Sequence, residues 1–465
     1  MDQILGAVQS NQTYALLNPL DLYETEVAQD LSMKVPTPQS LNWLKKMEGR
    51  MATRKTKRSS YSFYEEGQYM AGTAKISAIA ANGAKFDITL SADAHGDIGG
   101  AGATSFVVEG QLVMFVDGKT TGYVETIVRT PGAHVITVKK TDPSQDIASV
   151  GVVGTNMVFF SNGQPEGSGQ TESRVEQYTK LTNKLHIIRE FFEVTDEEMY
   201  NQAWFEPVPG KKYLWYRGIQ ATANRFELQT QLALLVSNQS SGLTNKNGSV
   251  VQTTHGLIPQ IRSGGAELEY FGKPDGAAFD EVMLHLDNSY GENKYFIGEG
   301  HNLQLALKDF LVEFAKGGTG NISFTPFSGG SEQAIKLNFK SYSVGEYEFY
   351  NQKWDILSHK DTLGAEGMPF RHMGIFIPAG YTRDANPDLA AGSPSQVPYI
   401  MQVTPPLNAF ASNSNIIKDD YFMWETGAFA GQGATNDQAK KGVHFLRYVG
   451  LEIRCRHKFL LWQAA

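Results

Sequence analysis

The stretch Lys211–Ser237, KKYLWYRGIQATANRFELQTQLALLVS, decides how the rest of the chain is read. Pro207, Pro209 and Gly210 stand just ahead of it, favouring a turn and stopping any earlier helix from running through. The stretch itself holds no proline and one glycine, Gly218. Trp215, Ile219, Thr222, Phe226, Gln229, Ala233 and Val236 recur at threes and fours, and Leu232 and Leu235 widen the stripe. The pattern predicts one helix of roughly 40 Å at ~1.5 Å per residue, far longer than the average of roughly 11–12 residues. A helix of this length acts as a strut between separate packing regions.

Upstream of it the period is two. From Ala71 to about Leu185 the runs Ala74–Ile79, Lys85–Leu90, Phe106–Val108, Leu112–Val116, Tyr123–Val128, Val135–Val138 and Met157–Phe160 read as strands. Turn residues separate them, among them Asp117-Gly118, Pro131-Gly132 and Asn162-Gly163. This predicts a small antiparallel sheet or barrel, or a long two-way β excursion. Residues 1–60 read as an arm, with Pro36 and Pro38 interrupting mixed acidic and apolar residues. The arm ends in a basic cluster of Lys45, Lys46, Arg50, Arg54, Lys55, Lys57 and Arg58. The cluster reads as a solvated face, or as a contact with an acidic neighbour or nucleic acid.

Downstream, His186–Val194 is a strand leading to a short helix capped at Thr195 or Asp196. Helices are expected at Ala278–Asn288 and Leu303–Ala315, with a buried strand at Tyr295–Gly298 between them. Strands follow at Ile335–Phe339, Tyr347–Tyr350 and Gly374–Pro378. Residues 379–420, rich in Pro, Asn, Ser and Ala, read as surface loops, and Phe445–Trp462 as one long closing strand. The fold class is α+β.

Composition narrows the function. The chain has 465 residues and 46 glycines, a bias toward turns and loops. Its net charge of −8 argues against nucleic-acid binding by the chain as a whole. Cys455 is the only cysteine, so no intrachain disulfide forms and a thiolate-rich zinc site is excluded. The start of the sequence predicts no signal peptide, and no apolar run of about 18 residues predicts a membrane span.

No reaction centre stands out. G-x-x-x-x-G-K-S/T, G-x-S-x-G and H-E-x-x-H do not occur. Gly96, Gly99, Gly100 and Gly102 form a glycine-rich loop tip inside the β region and fit no dinucleotide fingerprint. Glu299 with His301, and Asp355 with His359, are the acid–base pairs that proximity allows, set against ordinary surface residues. Cys455 lies between Arg454 and Arg456, which would lower a thiol pKa. Strand alternation instead puts it on the face of Ile453 and Leu451 as a buried thiol. Trp204-Phe205 and Tyr213–Tyr216 would stack bases or pack a core. No catalytic, cofactor-binding or metal-ligating residue is assigned.

The order of elements resembles the major capsid proteins of tailed bacteriophages, whose HK97-like fold has an N-terminal arm, a β-rich extended loop, a spine helix, and peripheral and axial domains. The residues that carry the resemblance are Val108–Phe115, Tyr123–Ile127, Val135–Val138 and Pro165-Glu166-Gly167 in the β excursion. Phe226–Val236 followed by Thr253–Ile261 is similar to the passage from spine to body. Tyr295–Gly298 between two helices, then strands up to Tyr350, is similar to the axial domain, and Phe445–Leu461 to the return to the peripheral domain. The resemblance covers about 60–460. It implies an arm at 1–60, an extended β loop at 61–190, the spine helix and part of the peripheral domain at 191–255, an axial domain with surface loops at 256–420, and return strands at 421–465.

The resemblance further implies a non-enzymatic subunit, without cofactors, that self-assembles in hexamers and pentamers into an icosahedral virion shell around double-stranded DNA. Assembly would take place in the host cytoplasm, without a membrane. Implied partners are copies of itself, a portal, decoration or auxiliary capsid proteins, and non-specific DNA on the inner face. Because the arm is short, the scaffolding protein is expected to be separate. Some relatives join Lys and Asn side chains covalently between subunits; Lys139 and Lys140 lie in the β loop, but no acceptor is assigned. The alternatives are a decoration or tail protein, an encapsulin-like compartment shell, and an enzyme with a β-sandwich accessory domain, which would need a carboxylate constellation.

Overall fold

A computed structural model describes residues 43, 47, 51–65, 72–93, 96–97, 106–130, 133–167, 169, 179–195, 213–317, 341–384, 395–407, 416–418, 420–427 and 440–465. Most of the arm, the aromatics at 204–205, the short helix expected after 195 and the strand expected at 335–339 lie outside them. The fold is α+β, and the chain divides into two compact units, 1–63 with 182–465, and 64–181.

The chain opens the larger unit with β1 (Met51–Lys55) and leaves it through β2 (Ser60–Glu65). The smaller unit contains β3 (Thr73–Asn82), β4 (Lys85–Asp93), β5 (Gly96–Asp97), β6 (Gln111–Met114), β7 (Thr121–Thr130), β8 (Ala133–Lys140), the short helix α1 (Ile147–Val150) and β9 (Asn156–Asn162). The chain returns through β10 (Thr179–Lys184), which pairs with β2.

Within the smaller unit the pairing order is β3-β9-β6-β7-β8-β4, and β4 pairs with β3. The six strands therefore close a ring in which every pairing is antiparallel, which removes the exposed edges an open sheet would leave. The alternation read from the sequence sets which side faces in. Phe86, Ile88 and Leu90 sit in register with Val138, Ile136 and His134, and all six are buried. Val113, Val124, Met157 and Phe159 complete the interior. Gly83 and Gly118, at positive φ of 63° and 65°, turn the chain between β3 and β4 and between β6 and β7. The expectation of a barrel is met; Phe106–Val108, expected as a strand, is irregular chain with Val107 and Val108 buried.

The larger unit resumes with β11 (His186–Thr195) and the strut, α2 (Tyr213–Val236). Then come α3 (Leu257–Gly264), β12 (Ala266–Tyr270), α4 (Gly276–Asn288), β13 (Lys294–Glu299), α5 (His301–Gly317), β14 (Ser341–Val344), β15 (Tyr347–Lys353), α6 (Asp355–Ser358) and β16 (Gly374–Pro378). The chain ends with β17 (Tyr381–Asp384), β18 (Ser395–Pro398), β19 (Ile400–Thr404), β20 (Ile417–Lys418), β21 (Tyr421–Gly427), β22 (Lys440–Ile453) and β23 (Leu460–Ala464).

Two mixed sheets organise these elements. The first runs β1-β19-β22-β21-β20, with β11 also paired to β22. Helix α2 lies on it, with Phe226 against the rings of Phe445 and Tyr421. The one glycine of the strut has a steric reason. A Cβ on Gly218 would sit 1.9 Å from the Phe192 ring of β11. The second sheet runs β12-β23-β16-β13-β15-β14. Phe279, Val282 and Leu286 of α4 and Leu303 and Leu307 of α5 form one core with Tyr295, Ile297, Phe349, Phe376 and Trp462. The main core holds Phe296, Ile375, Ile377 and Leu461 of this sheet together with Phe226, Leu234 and Leu235 of α2. Trp43 also enters that core: its ring stacks near Trp354, centroids 5.1 Å apart, and its Nε1–H donates to the Gln231 carbonyl.

Three sequence expectations change. Phe445–Trp462 is not one strand, because Cys455 takes a left-handed conformation (φ 54°) and Arg456–Lys458 form a 3-10 turn. β22 consequently belongs to the first sheet and β23 to the second. Within 379–420, expected to be surface loops, β19 is an almost fully buried strand pairing with both β1 and β22. Its flanking prolines, Pro398, Pro405 and Pro406, bound the strand rather than break it. Residues 51–55, expected in the arm, form β1 parallel to β19.

The closed ring predicts that a 64–181 fragment unfolds in one cooperative transition by circular dichroism. Ile136→Ala in that fragment, at a fully buried position, is expected to cost about 2–4 kcal/mol in denaturant titration.

Candidate functional site

The residue pairs that proximity offered for acid–base chemistry are not brought together as pairs. Glu299 is fully buried at the end of β13, and neither carboxylate oxygen has a hydrogen-bond partner. Burial alone raises its pKa to about 8. His301 is exposed, and its backbone N–H donates to Ser358 Oγ. The Asp355 carboxylate lies 3.3 Å from Lys353 Nζ, whereas His359 Nδ1 accepts from the Asp361 N–H. Cys455 is half-buried beside the main core, with Sγ 3.8 Å from Thr382 Oγ1, and stands in the left-handed turn rather than on an alternating strand. Among the described residues no group of three or more His, Cys, Asp and Glu could hold a metal ion. No helix among them is long and apolar enough to cross a membrane.

What the polar side chains build instead is a set of ties across the larger unit. Arg447 of β22 is buried. Its guanidinium donates to Glu227 of α2 at 2.7 Å and to Asp420 at 2.8 Å, and lies over the Phe226 and Tyr421 rings at 5.1 and 5.2 Å. Charge and cation–π contacts thus fix the strut to the sheet at the point where their aromatics meet. Five residues on, Glu452 is completely buried and accepts from Arg54 of β1 at 2.5 Å and from Arg454 at 2.8 Å. This ties the start of the described chain to its end.

Asn183 makes the same kind of join without charge. Its Nδ2 donates to the carbonyls of His255 and Leu451, and its Oδ1 accepts from the backbone N–H groups of His255 and Lys184. A third ionic node lies where β22 hands over to β23. Glu292 accepts from Lys458 Nζ at 2.6 Å and from the Tyr399 hydroxyl. Burial works to raise the Glu292 pKa, but the Lys458 and Tyr399 donors outweigh it and the carboxyl stays below its ordinary range.

Much of the basic sequence is accordingly engaged inside the fold. Arg54 and Arg454 hold Glu452, Arg456 donates to Ser263, and Lys458 holds Glu292. Lys57 and Arg58 remain exposed. In the barrel, Lys85 and Lys139 both clamp Glu125, and Lys140 lies 5.6 Å from the Phe86 ring centroid. Sequence reading passed over Arg447 and Glu452. The signal was there in one case: Arg447 alternates with Val443, Phe445 and Val449, and a charge on an apolar face needs a partner.

No family model matches the chain, and a search of curated proteins finds no match. Solved structures are similar to it at low identity. The capsid of cyanophage A-1(L) is 9% identical over 98% of this chain and 99% of its own, with a TM-score of 0.45. The capsid of Myoviridae phage XM1 is 8% identical over 95% of this chain and 97% of its own, at 0.41. The SrpI encapsulin of Synechococcus elongatus PCC 7942 is 10% identical over 62% of this chain and 77% of its own, at 0.32.

Removing the central cation should expose how the ties work. Arg447→Met takes away the cation that Glu227 and Asp420 share, while Gln231 still donates to Glu227 and Gln402 to Asp420. It is expected to cost about 2–4 kcal/mol, somewhat less than a fully buried pair because both carboxylates keep partial solvent contact. Adding Glu227→Gln should recover part of the loss, which a double-mutant cycle in denaturant reads directly.

Proposed function

We propose that this chain is the major capsid protein of a tailed bacteriophage, with an HK97-like fold, and that its work is self-assembly rather than catalysis. One observation carries the reading: a long helix laid on one mixed sheet, a second mixed sheet capped by two helices, and a β excursion inserted ahead of the helix that closes into a unit of its own. In this reading the arm precedes β1, the closed unit 64–181 is the extended β loop, α2 is the spine helix on the first sheet as the peripheral part, and the second sheet with α4 and α5 is the axial part. The subunit packs with copies of itself in hexamers and pentamers, aided by a separate scaffolding protein, and joins a portal. It forms part of the virion after assembly in the host cytoplasm.

The net charge of −8 suits a wall that encloses DNA without gripping it, because strong phosphate binding would hinder packaging and release. The polar ties described above sit within one subunit, and they keep the body rigid enough for repeated heterologous contacts to close a cage.

Co-expression with the neighbouring genes of its source, followed by negative-stain microscopy and particle mass, tests the proposal. Closed shells with hundreds of copies are expected. Tubes or particles with tens of copies would point to a tail or decoration protein, and shells that load an enzyme in place of DNA to a compartment.

A further inference from the structure

β13 is an inner strand of the second sheet, paired with β16 on one side and β15 on the other. Its residues Tyr295, Ile297 and Glu299 alternate onto one face, and Tyr295 and Ile297 lie in the core covered by α4 and α5. Leu303, in the first turn of α5, packs over Gly374, the residue paired with Glu299. The carboxyl is therefore enclosed by sheet and helix.

The backbone that carries it is closely packed. A Cβ on Gly298 would sit 2.5 Å from the Trp354 ring, and one on Gly300 2.4 Å from the carbonyl oxygens of Phe370 and Arg371, so the backbone on both sides of Glu299 is tightly enclosed. On β15, Asn351 pairs with Ile297 and lies diagonal to Glu299 on the same face; its Oδ1 is a second buried acceptor without a donor.

The charged groups on the neighbouring elements do not bond to it. Lys353, paired with Glu299 across β15, turns its ammonium to Asp355. His301 at the start of α5 is exposed, His372 bonds Asn302, and Arg371 leaves its Nε buried without a partner. On β16 the residue opposite is Gly374, which brings no side chain.

A buried carboxyl without a donor needs either a cation or a proton. Among the described residues there is no metal-holding group, so the proton is favoured. We infer that Glu299 is a carboxylic acid that keeps its proton at neutral pH inside the second sheet, and that losing the proton in mildly alkaline solution loosens α5 from that sheet. Burial as the sole cause of its raised pKa, about 8 against an ordinary 4.5, agrees with this geometry. The folded form then binds more protons than the unfolded form between those two values. Stability accordingly falls as pH rises from about 4.5 to about 8, and levels off above. The inference does not depend on the capsid reading.

The test uses the full chain, Glu299→Gln and Glu299→Met, with melting temperature followed from pH 5 to 9 and amide exchange followed at α5 in the same range. The wild type is expected to lose several degrees across this range. It should also gain more than tenfold in exchange at α5 beyond the intrinsic pH effect. Both variants should be flat by comparison, and if the amide variant fails to fold, the Met variant alone decides. A variant that keeps the wild-type slope would overturn the inference. So would calcium or magnesium raising the wild-type melting temperature but not that of the variant, since the site would then hold a cation.

Discussion

The larger unit depends on one strand. β22 runs for 14 residues and pairs with β11, β19 and β21, so the first sheet exists only where β22 is held straight. The same strand carries Arg447, which fixes the strut, and Glu452, which fixes β1. The Leu451 carbonyl between them accepts from Asn183, Tyr61 and Gln260. At its end a left-handed Cys455 and a 3-10 turn pass the chain into the second sheet as β23. Charges that would be costly to bury singly are thus concentrated where three or four elements meet, and each finds its counter-charge there.

The barrel follows a different logic. Its interior is mainly apolar, with His134 buried among the aliphatic side chains, its ring of strands is closed, and local turns set its hairpins. Inward alternation fixes its register strand by strand, and its ion pairs of Lys85 and Lys139 with Glu125 lie near the surface.

Legibility in the sequence followed these two logics. The strut, α4, α5, β13, β16 and most of the barrel were legible, since each has a period of 3.6 or 2 that burial enforces. β19 was not, because a five-residue strand framed by prolines looks like a loop until its two partners are known. β1 was missed for a similar reason, since its Thr53, Arg54 and Lys55 show no apolar face and its place is set by β19. The break at Cys455 is a left-handed residue without glycine, which no local pattern announces. The pairs Glu299–His301 and Asp355–His359 looked like chemistry through proximity in sequence, whereas strand and helix geometry sends their side chains to different neighbours.

In the proposed role, the body organised on β22 tiles with copies of itself. A single-particle reconstruction of the assembly formed in the presence of its scaffold addresses that claim most directly. It should show a closed shell with hundreds of copies, each with α2 seated on β11 and β22 and the second sheet intact. A chain that stays monomeric under those conditions, or a particle in which α2 has left the sheet, would contradict it.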